Sequence, residues 1–349
     1  MKEHDRYLES DTEGAYTGQI TRLLRDTTSD NCPLLLELIE GGGANRRLLG
    51  YLFGISVFHP TREVSGRAMG LLQRFASAES VKQAQKLRES AAYHYDEAEY
   101  FSRYQSAEID LFDLLLASKM CLWHRNRPAP GSNALVAHQT LDLRRLAVNQ
   151  LSPALVTLDF LRFVALPAHK DFDLPNAIPL LLQLPLEILI VENNRIETFP
   201  VALFALPRLS TFILRKGTYR PKYPMQVPEG GPHGNPSLEK LILEGYPIEG
   251  EARLGPFPNL REATLVRCGL VRLDFLQHSP KLERLNVRFN QLEYLPAFLS
   301  ECTELRVLEL SNNPYRKIEI DLEPLRNLEE LDLKMQTQLP GNFRLTGAK

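Results

Sequence analysis

An α/β solenoid with a parallel concave sheet, preceded by an all-α N-terminal domain, is the fold class this sequence predicts, and three observations predict it. A leucine spacing, LxxLxLxxN/CxL, restarts mostly every 22 or 23 residues through the C-terminal half, at Leu186, Leu209, Leu238, Leu260, Leu282, Leu305 and Leu328. Residues 32–127 instead carry apolar side chains at helical spacing. A breaker-rich run, Asn126-Arg-Pro-Ala-Pro-Gly-Ser-Asn133, separates the two regimes.

Residues 1–30 read as a polar segment, acidic where a signal peptide needs basic residues followed by an apolar run, so the chain is expected to be cytoplasmic. No apolar stretch reaches membrane-spanning length; the best, residues 48–58, is short and holds Gly50 and Gly54. Leu34, Leu35, Leu38 and Ile39 are spaced for one helical face before Gly41-Gly42-Gly43 stops the helix. Neither a preceding strand nor a following Gly-Lys-Ser/Thr accompanies this triple glycine, which therefore reads as a helix-ending turn rather than a phosphate loop. A second helix covers residues 45–58. Pro60 then opens a third, in which Val64, Ala68, Leu71 and Leu72 share a face.

The run from His59-Pro60 to Leu72 resembles the second helix of a HEAT-type hairpin, with Ser65 where that motif usually carries Arg. The similarity covers about forty residues, and helices near 80–104 and 108–124 would complete a HEAT-like domain over 31–127. Tyr93, Tyr95, Tyr100, Phe101 and Tyr104 form an aromatic cluster that reads as core packing or as a recognition patch. Residues 128–134 read as the linker.

In each repeat, positions 4 and 6 alternate with polar neighbours, which makes a short strand with its leucines inward. One such strand cannot bury its face alone, so the units stack side by side, with segments 198–206, 271–277 and 293–300 returning on the other side. Position 9 favours Asn, whose amide satisfies backbone groups of neighbouring coils. Asn194, Asn290 and Asn313 fit and Cys268 is an accepted substitute, whereas Gly217, Tyr246 and Gln336 depart, which predicts an interrupted ladder near repeats two and three. The period, with Phe199-Pro200 and Leu295-Pro296 in the returns, resembles the leucine-rich repeat family with irregular convex sides. The resemblance covers about residues 140–340. It implies a horseshoe over 135–340 followed by a tail at 341–349. Leu155, Leu158 and Phe160 read as a degenerate first unit, and Leu141 with Leu143 as an earlier one.

With 349 residues, 44% hydrophobic and 24% charged, the chain has ordinary globular composition and room for two domains. A net charge of −2 with interleaved signs shows no nucleic-acid or membrane footprint. Cys32, Cys121, Cys268 and Cys302 lack CxxC spacing, and the eight histidines are scattered, so neither a metal nor any other cofactor is expected. Cys32 precedes Pro33 at a helix start, where a thiol pKa can fall, yet no partner stands near it in sequence.

Repeat arrays evolve as binding surfaces more often than as active sites, so the predicted function is a non-enzymatic interaction module that binds a protein. In this register Glu192, Arg215, Glu244, Arg267, Asn286, Arg288, Phe289 and Glu309 project from the concave sheet. Arg267, Arg288 and Phe289 have the composition of an interface hot spot, or else merely solvate the sheet. Position 5 runs from Ile190, Ile213 and Ile242 to Glu309 and Asp332, which predicts a face changing from apolar to acidic. A proline-rich insertion between Leu209 and Leu238 makes Tyr219, Arg220 and Tyr223 a second candidate site or a tolerated surface loop. The array end, residues 328–334, either is capped by Phe343 and Leu345 or meets another subunit. Two further readings are a substrate-recruiting part of an enzyme system, as in bacterial leucine-rich repeat ubiquitin ligases, and a structural assembly subunit.

Overall fold

The computed structural model describes residues 14–26, 29–91, 108–125, 139–146, 148–217, 223–230, 233–316, 318–321, 323–334 and 343–346. They form two compact units, Met1–Thr140 with Ser152–Leu161, and Leu141–Leu151 with Arg162–Lys349.

The first unit is helical: α1 (Ala15–Arg25), α2 (Cys32–Gly42), α3 (Arg46–Phe58), α4 (Arg62–Phe75), α5 (Ala78–Ala91) and α6 (Leu111–Arg125). α1 lies within the segment read as polar. Its inner face is Thr17, Ile20, Thr21 and Leu24, a helical stripe hidden from apolar patterning because two of its four members are threonines. Both are satisfied: the Thr21 hydroxyl bonds the Thr17 carbonyl and the Tyr51 hydroxyl, and the Asn45 amide donates to Thr17. On α2 the buried stripe is Cys32, Leu35, Leu36 and Ile39, while Leu34 and Leu38 face outward, 45% and 38% exposed. The spacing of four leucine-type residues was therefore right for a helix and one step off for its inner face.

α3 is the centre of this unit. Every residue from Leu48 to Phe58 is buried, against α4, α5 and α6, and Asn45 caps it by accepting the Leu48 N–H at 3.0 Å. Gly50 and Gly54 let α6 approach: an added Cβ would stand 2.7 Å from Asp113 Cβ and 2.5 Å from Ala117 Cβ, respectively. α5 ends at Ala91, and the expected extension to 104, the aromatic cluster at 93–104 and the linker at 128–134 lie outside the described residues.

Asp113 is buried at this contact, 3.1 Å from Arg47 Nε. Burial outweighs the arginine and pushes the carboxyl up to about 7. The folded state then holds a proton that the unfolded chain releases near pH 4, so the helical unit should lose stability as pH rises from about 4 to about 7, by up to about 1.4 kcal/mol per unit. Asp113→Asn should flatten that slope. Urea denaturation at pH 5 and pH 8 measures it, and equal slopes in both proteins would reject the assignment.

The second unit is built on a parallel nine-stranded sheet of β1 (Thr140–Asp142), β2 (Phe163–Ala165), β3 (Ile188–Glu192), β4 (Thr211–Arg215), β6 (Lys240–Glu244), β8 (Glu262–Val266), β9 (Arg284–Asn286), β10 (Val307–Glu309) and β12 (Glu330–Asp332), in that order. Ile188, Thr211, Lys240, Glu262, Arg284, Val307 and Glu330 stand in register, one from each repeat at position 3. This is the leucine-rich repeat solenoid in the phase read from the leucines. Leu141 and Leu143 do form an early unit, with the Leu143 N–H bonded to Ala165 O. Leu155 and Leu158 do not: residues Pro153–Thr157 make a 3-10 turn within the helical unit, and the preceding repeat starts instead at Leu161, with Val164 and Leu166 inward.

The returns are 3-10 turns at Val201–Ala205, Glu251–Arg253, Asp274–Leu276 and Ala297–Glu301, with one α-helix, α7 (Leu174–Leu181). Phe199, Phe204, Phe212 and Phe257 fill the interior beneath them, with ring centroids 5.3–6.3 Å apart. The proline-rich insertion is anchored rather than loose. Its β5 (Met225–Gln226) pairs with β7 (Ile248–Glu249), Met225 and Val227 are buried, and buried Asn235 donates to the Phe204 and Leu206 carbonyls. A last pair, β11 (Ile318–Asp321) with β13 (Phe343–Thr346), brings tail residues back onto the chain.

Asn290 and Asn313 do what position 9 requires. Asn290 donates to the Leu265 and Val287 carbonyls at 2.6 and 2.9 Å and accepts the Cys268 and Leu270 N–H groups at 3.0 and 3.2 Å. Asn313 repeats the pattern one coil on. The expected interruption is bridged. Gly217 supplies no side chain, and the fully buried Tyr246 of the next repeat passes over that coil to donate its hydroxyl to Asn194 O. Cys268 substitutes through its thiol, which donates to Leu243 O.

Candidate functional site

Side chains at positions 5, 7 and 8 make the open face of the sheet, opposite the returns. Position 8 carries the turn out of each strand, and it is left-handed at Asn193, Gly245, Arg267, Phe289 and Asn312. Gly and Asn adopt that backbone at little cost, whereas a bulky L-residue there is strained by about 1–2 kcal/mol. Arg267 (φ 54°) and Phe289 (φ 58°) are the two that depart from this economy, and they are adjacent. The Arg267 guanidinium stacks on the Phe289 ring, 4.3 Å from its centroid, and Phe289 remains 37% exposed. The residues that follow them, Cys268 and Asn290, are buried and joined by the Cys268 N–H bond to Asn290 Oδ1.

The remaining residues expected on this face divide into two groups. Glu192, Arg215 and Glu244 are engaged with one another: Arg215 reaches Glu192 at 3.4 Å and Glu244 at 3.3 Å, and Arg144, just after β1, reaches Glu192 at 3.5 Å. Such half-exposed pairs contribute little stability, about 0–1 kcal/mol each, but they occupy one another's charges. Ile190 and Ile242 beside them are buried, and Ile213 partly so. The apolar face expected of the first repeats is thus largely covered, because flanking long side chains lie over a stripe only one residue wide.

Towards the other end the face opens. Arg288 pairs with Glu309 at 3.1 Å, Asn286 accepts the Arg288 N–H, and Asp332 accepts the Lys334 N–H at 3.0 Å. Among the described residues Arg267 has no carboxylate partner. The result is an exposed cation–aromatic knuckle flanked by an acidic edge at Glu309 and Asp332. Of the second candidate, Tyr223 is 69% exposed, while Tyr219 and Arg220 lie outside the described residues.

The signal for this pair in the sequence lies at position 8: where the repeats on either side carry Gly245 and Asn312, Arg267 and Phe289 stand out. Among the described residues no helix is long and apolar enough to cross a membrane.

No family model and no curated protein matches this chain. Solved structures similar to it include a leucine-rich repeat protein of Leptospira interrogans, at 19% identity over 58% of this chain and 56% of that one, TM-score 0.37. The leucine-rich repeat domain of the type III effector XopL shares 19% identity over 76% and 93% of the two chains, TM-score 0.39. That of APL1B shares 18% over 69% and 76%, TM-score 0.39.

Proposed function

We propose that this leucine-rich repeat solenoid is a non-enzymatic protein-binding module whose contact centre is Arg267, Phe289, Arg288 and Glu309. One observation carries the reading. Two adjacent bulky residues occupy a strained backbone that Asn would relieve, and the strain serves to present an exposed aromatic ring with a cation stacked on it. Strain of this kind is retained where function uses it. A rigid ring loses little side-chain entropy on binding, and Arg–aromatic pairs are frequent interface anchors. The acidic edge suits a partner with a basic or amide-rich rim around an apolar or carboxylate-bearing centre.

The test exploits the same strain. Arg267→Asn with Phe289→Asn removes the knuckle while relieving two left-handed turns. The double variant should melt at or above the wild-type temperature, gaining roughly 0.5–1 kcal/mol per site. A partner captured by wild type from the native host lysate should bind it at least about thirtyfold more weakly. Identical capture by both proteins would reject this face. Arg288→Glu is a poorer probe, since it sets a second carboxylate against Glu309.

A further inference from the structure

Three side chains able to bind a metal converge in the helical unit where α2 begins and α3 ends, with Cys121 of α6 beside one of them. His59 Nε2 lies 3.1 Å from Asp30 Oδ2. The donor atoms of Asp30, Cys32 and His59 all lie within 4.8 Å of one another. The Cys32 thiol has His59 and, on α6, Cys121 as close neighbours. Both sulfurs and the imidazole are buried, and Asp30 alone reaches solvent, its side chain 36% exposed. Its other oxygen accepts the Cys32 N–H at 3.0 Å, which orients the carboxylate towards the cluster.

We propose that Asp30, Cys32, His59 and Cys121 bind one divalent ion of zinc's type, which ties α2, α3 and α6 together. Two sulfurs, an imidazole and a carboxylate are a donor set that suits such an ion, and the donors of Asp30, Cys32 and His59 already lie within 4.8 Å of one another, so a small contraction, with Cys121 drawn in beside Cys32, would close a tetrahedral site. A closed site walled by core residues is the form that structural sites take.

The same residue types could suggest a thiol nucleophile with a His–Asp pair, but two observations oppose it. Both thiols are buried, leaving no approach for a substrate. Asp30 takes His59 Nε2 and the Thr61 amide takes Nδ1 at 3.2 Å, so neither nitrogen is left to accept a thiol proton while the carboxylate orients the ring from the far side. Metal binding needs only the proton to sit on Nδ1. Thr61 is exposed, and its N–H then turns to water.

The test uses the full chain, purified with reductant, stripped with a chelator and titrated with zinc or cobalt(II). The expected result is about one zinc per chain and a cobalt spectrum of a tetrahedral thiolate site. Cys32→Ser and Cys121→Ser should each weaken zinc binding by at least about a hundredfold. Cys268→Ser, in the solenoid, should leave it unchanged. Failure of the reduced, folded wild type to retain zinc would overturn the proposal. So would a sulfur-free cobalt spectrum, which needs no variant to fold, or full zinc affinity in Cys121→Ser. Recovery of a Cys32–Cys121 disulfide in protein that binds no zinc when reduced would assign the thiols to redox chemistry instead.

Discussion

Asn290→Ala should destabilise the solenoid by about 3–5 kcal/mol, the upper range for a single substitution. The reason is the number of backbone groups one amide serves. Its loss leaves the Cys268 and Leu270 N–H groups and the Leu265 and Val287 carbonyls without that partner, in a coil where Cys268, Leu270, Leu265 and Val287 are all buried. Asn194→Ala sets the scale for comparison. Asn194 donates to two carbonyls, Pro167 O and His169 O, and its Oδ1 accepts no bond among the described residues, so about 2 kcal/mol is expected there. Because adjacent repeats stabilise one another, the loss should spread to β8, β9 and β10. Hydrogen exchange of those strands, with denaturation followed by circular dichroism, measures it. Equal costs for the two asparagines would mean that bond number does not set the ladder's contribution.

Gly54→Leu should cost the helical unit more than about 4 kcal/mol, beyond the 1–3 of ordinary overpacking. A Cβ at this position already stands 2.5 Å from Ala117 Cβ and 3.1 Å from the Leu114 carbonyl, and α6 cannot yield locally because those atoms belong to its backbone or adjoin it. The helices must separate along their length, exposing the buried residues of α3. Gly70→Ala is the control. A Cβ there meets nothing within 4 Å, so replacement should add about 0.5–1 kcal/mol through helix propensity. Far-ultraviolet circular dichroism during denaturation follows this unit, which holds most of the described α-helices. A Gly54→Leu protein with a wild-type helical transition would refute the close approach of α3 and α6.

Much of the solenoid is legible in the sequence. Strand phase follows from burial on alternate residues, and the register of the strands reproduces the leucine count without a slip. Helices α2, α3, α4 and α6 were legible from apolar spacing and breakers. The first repeat was not: Phe163-Val-Ala carries Ala165 at position 5 and Pro167 at position 7, so its pattern is diluted below that of the unrelated leucines at 155 and 158. α1 escaped because threonines occupy half its inner face and are satisfied by Tyr51 and Asn45, which lie on and beside another helix. Of the candidate face, the residues could be listed from the sequence, but not their engagement. Nothing in the spacing distinguishes Arg215, bound between two glutamates, from Arg267, stacked on a ring.

By itself the sequence determined the repeat period, the inward leucines, the asparagine ladder at Asn290 and Asn313, and the division between helical and repeat patterning. These depend on contacts between residues one period or one helical turn apart, and such contacts leave a periodic trace. Tertiary structure alone decided that Tyr246 spans the coil of Gly217, that Arg267 and Phe289 share a strained knuckle, and that Cys32 meets His59, Asp30 and Cys121. Each joins side chains through packing, where distance along the chain carries no information about distance in space.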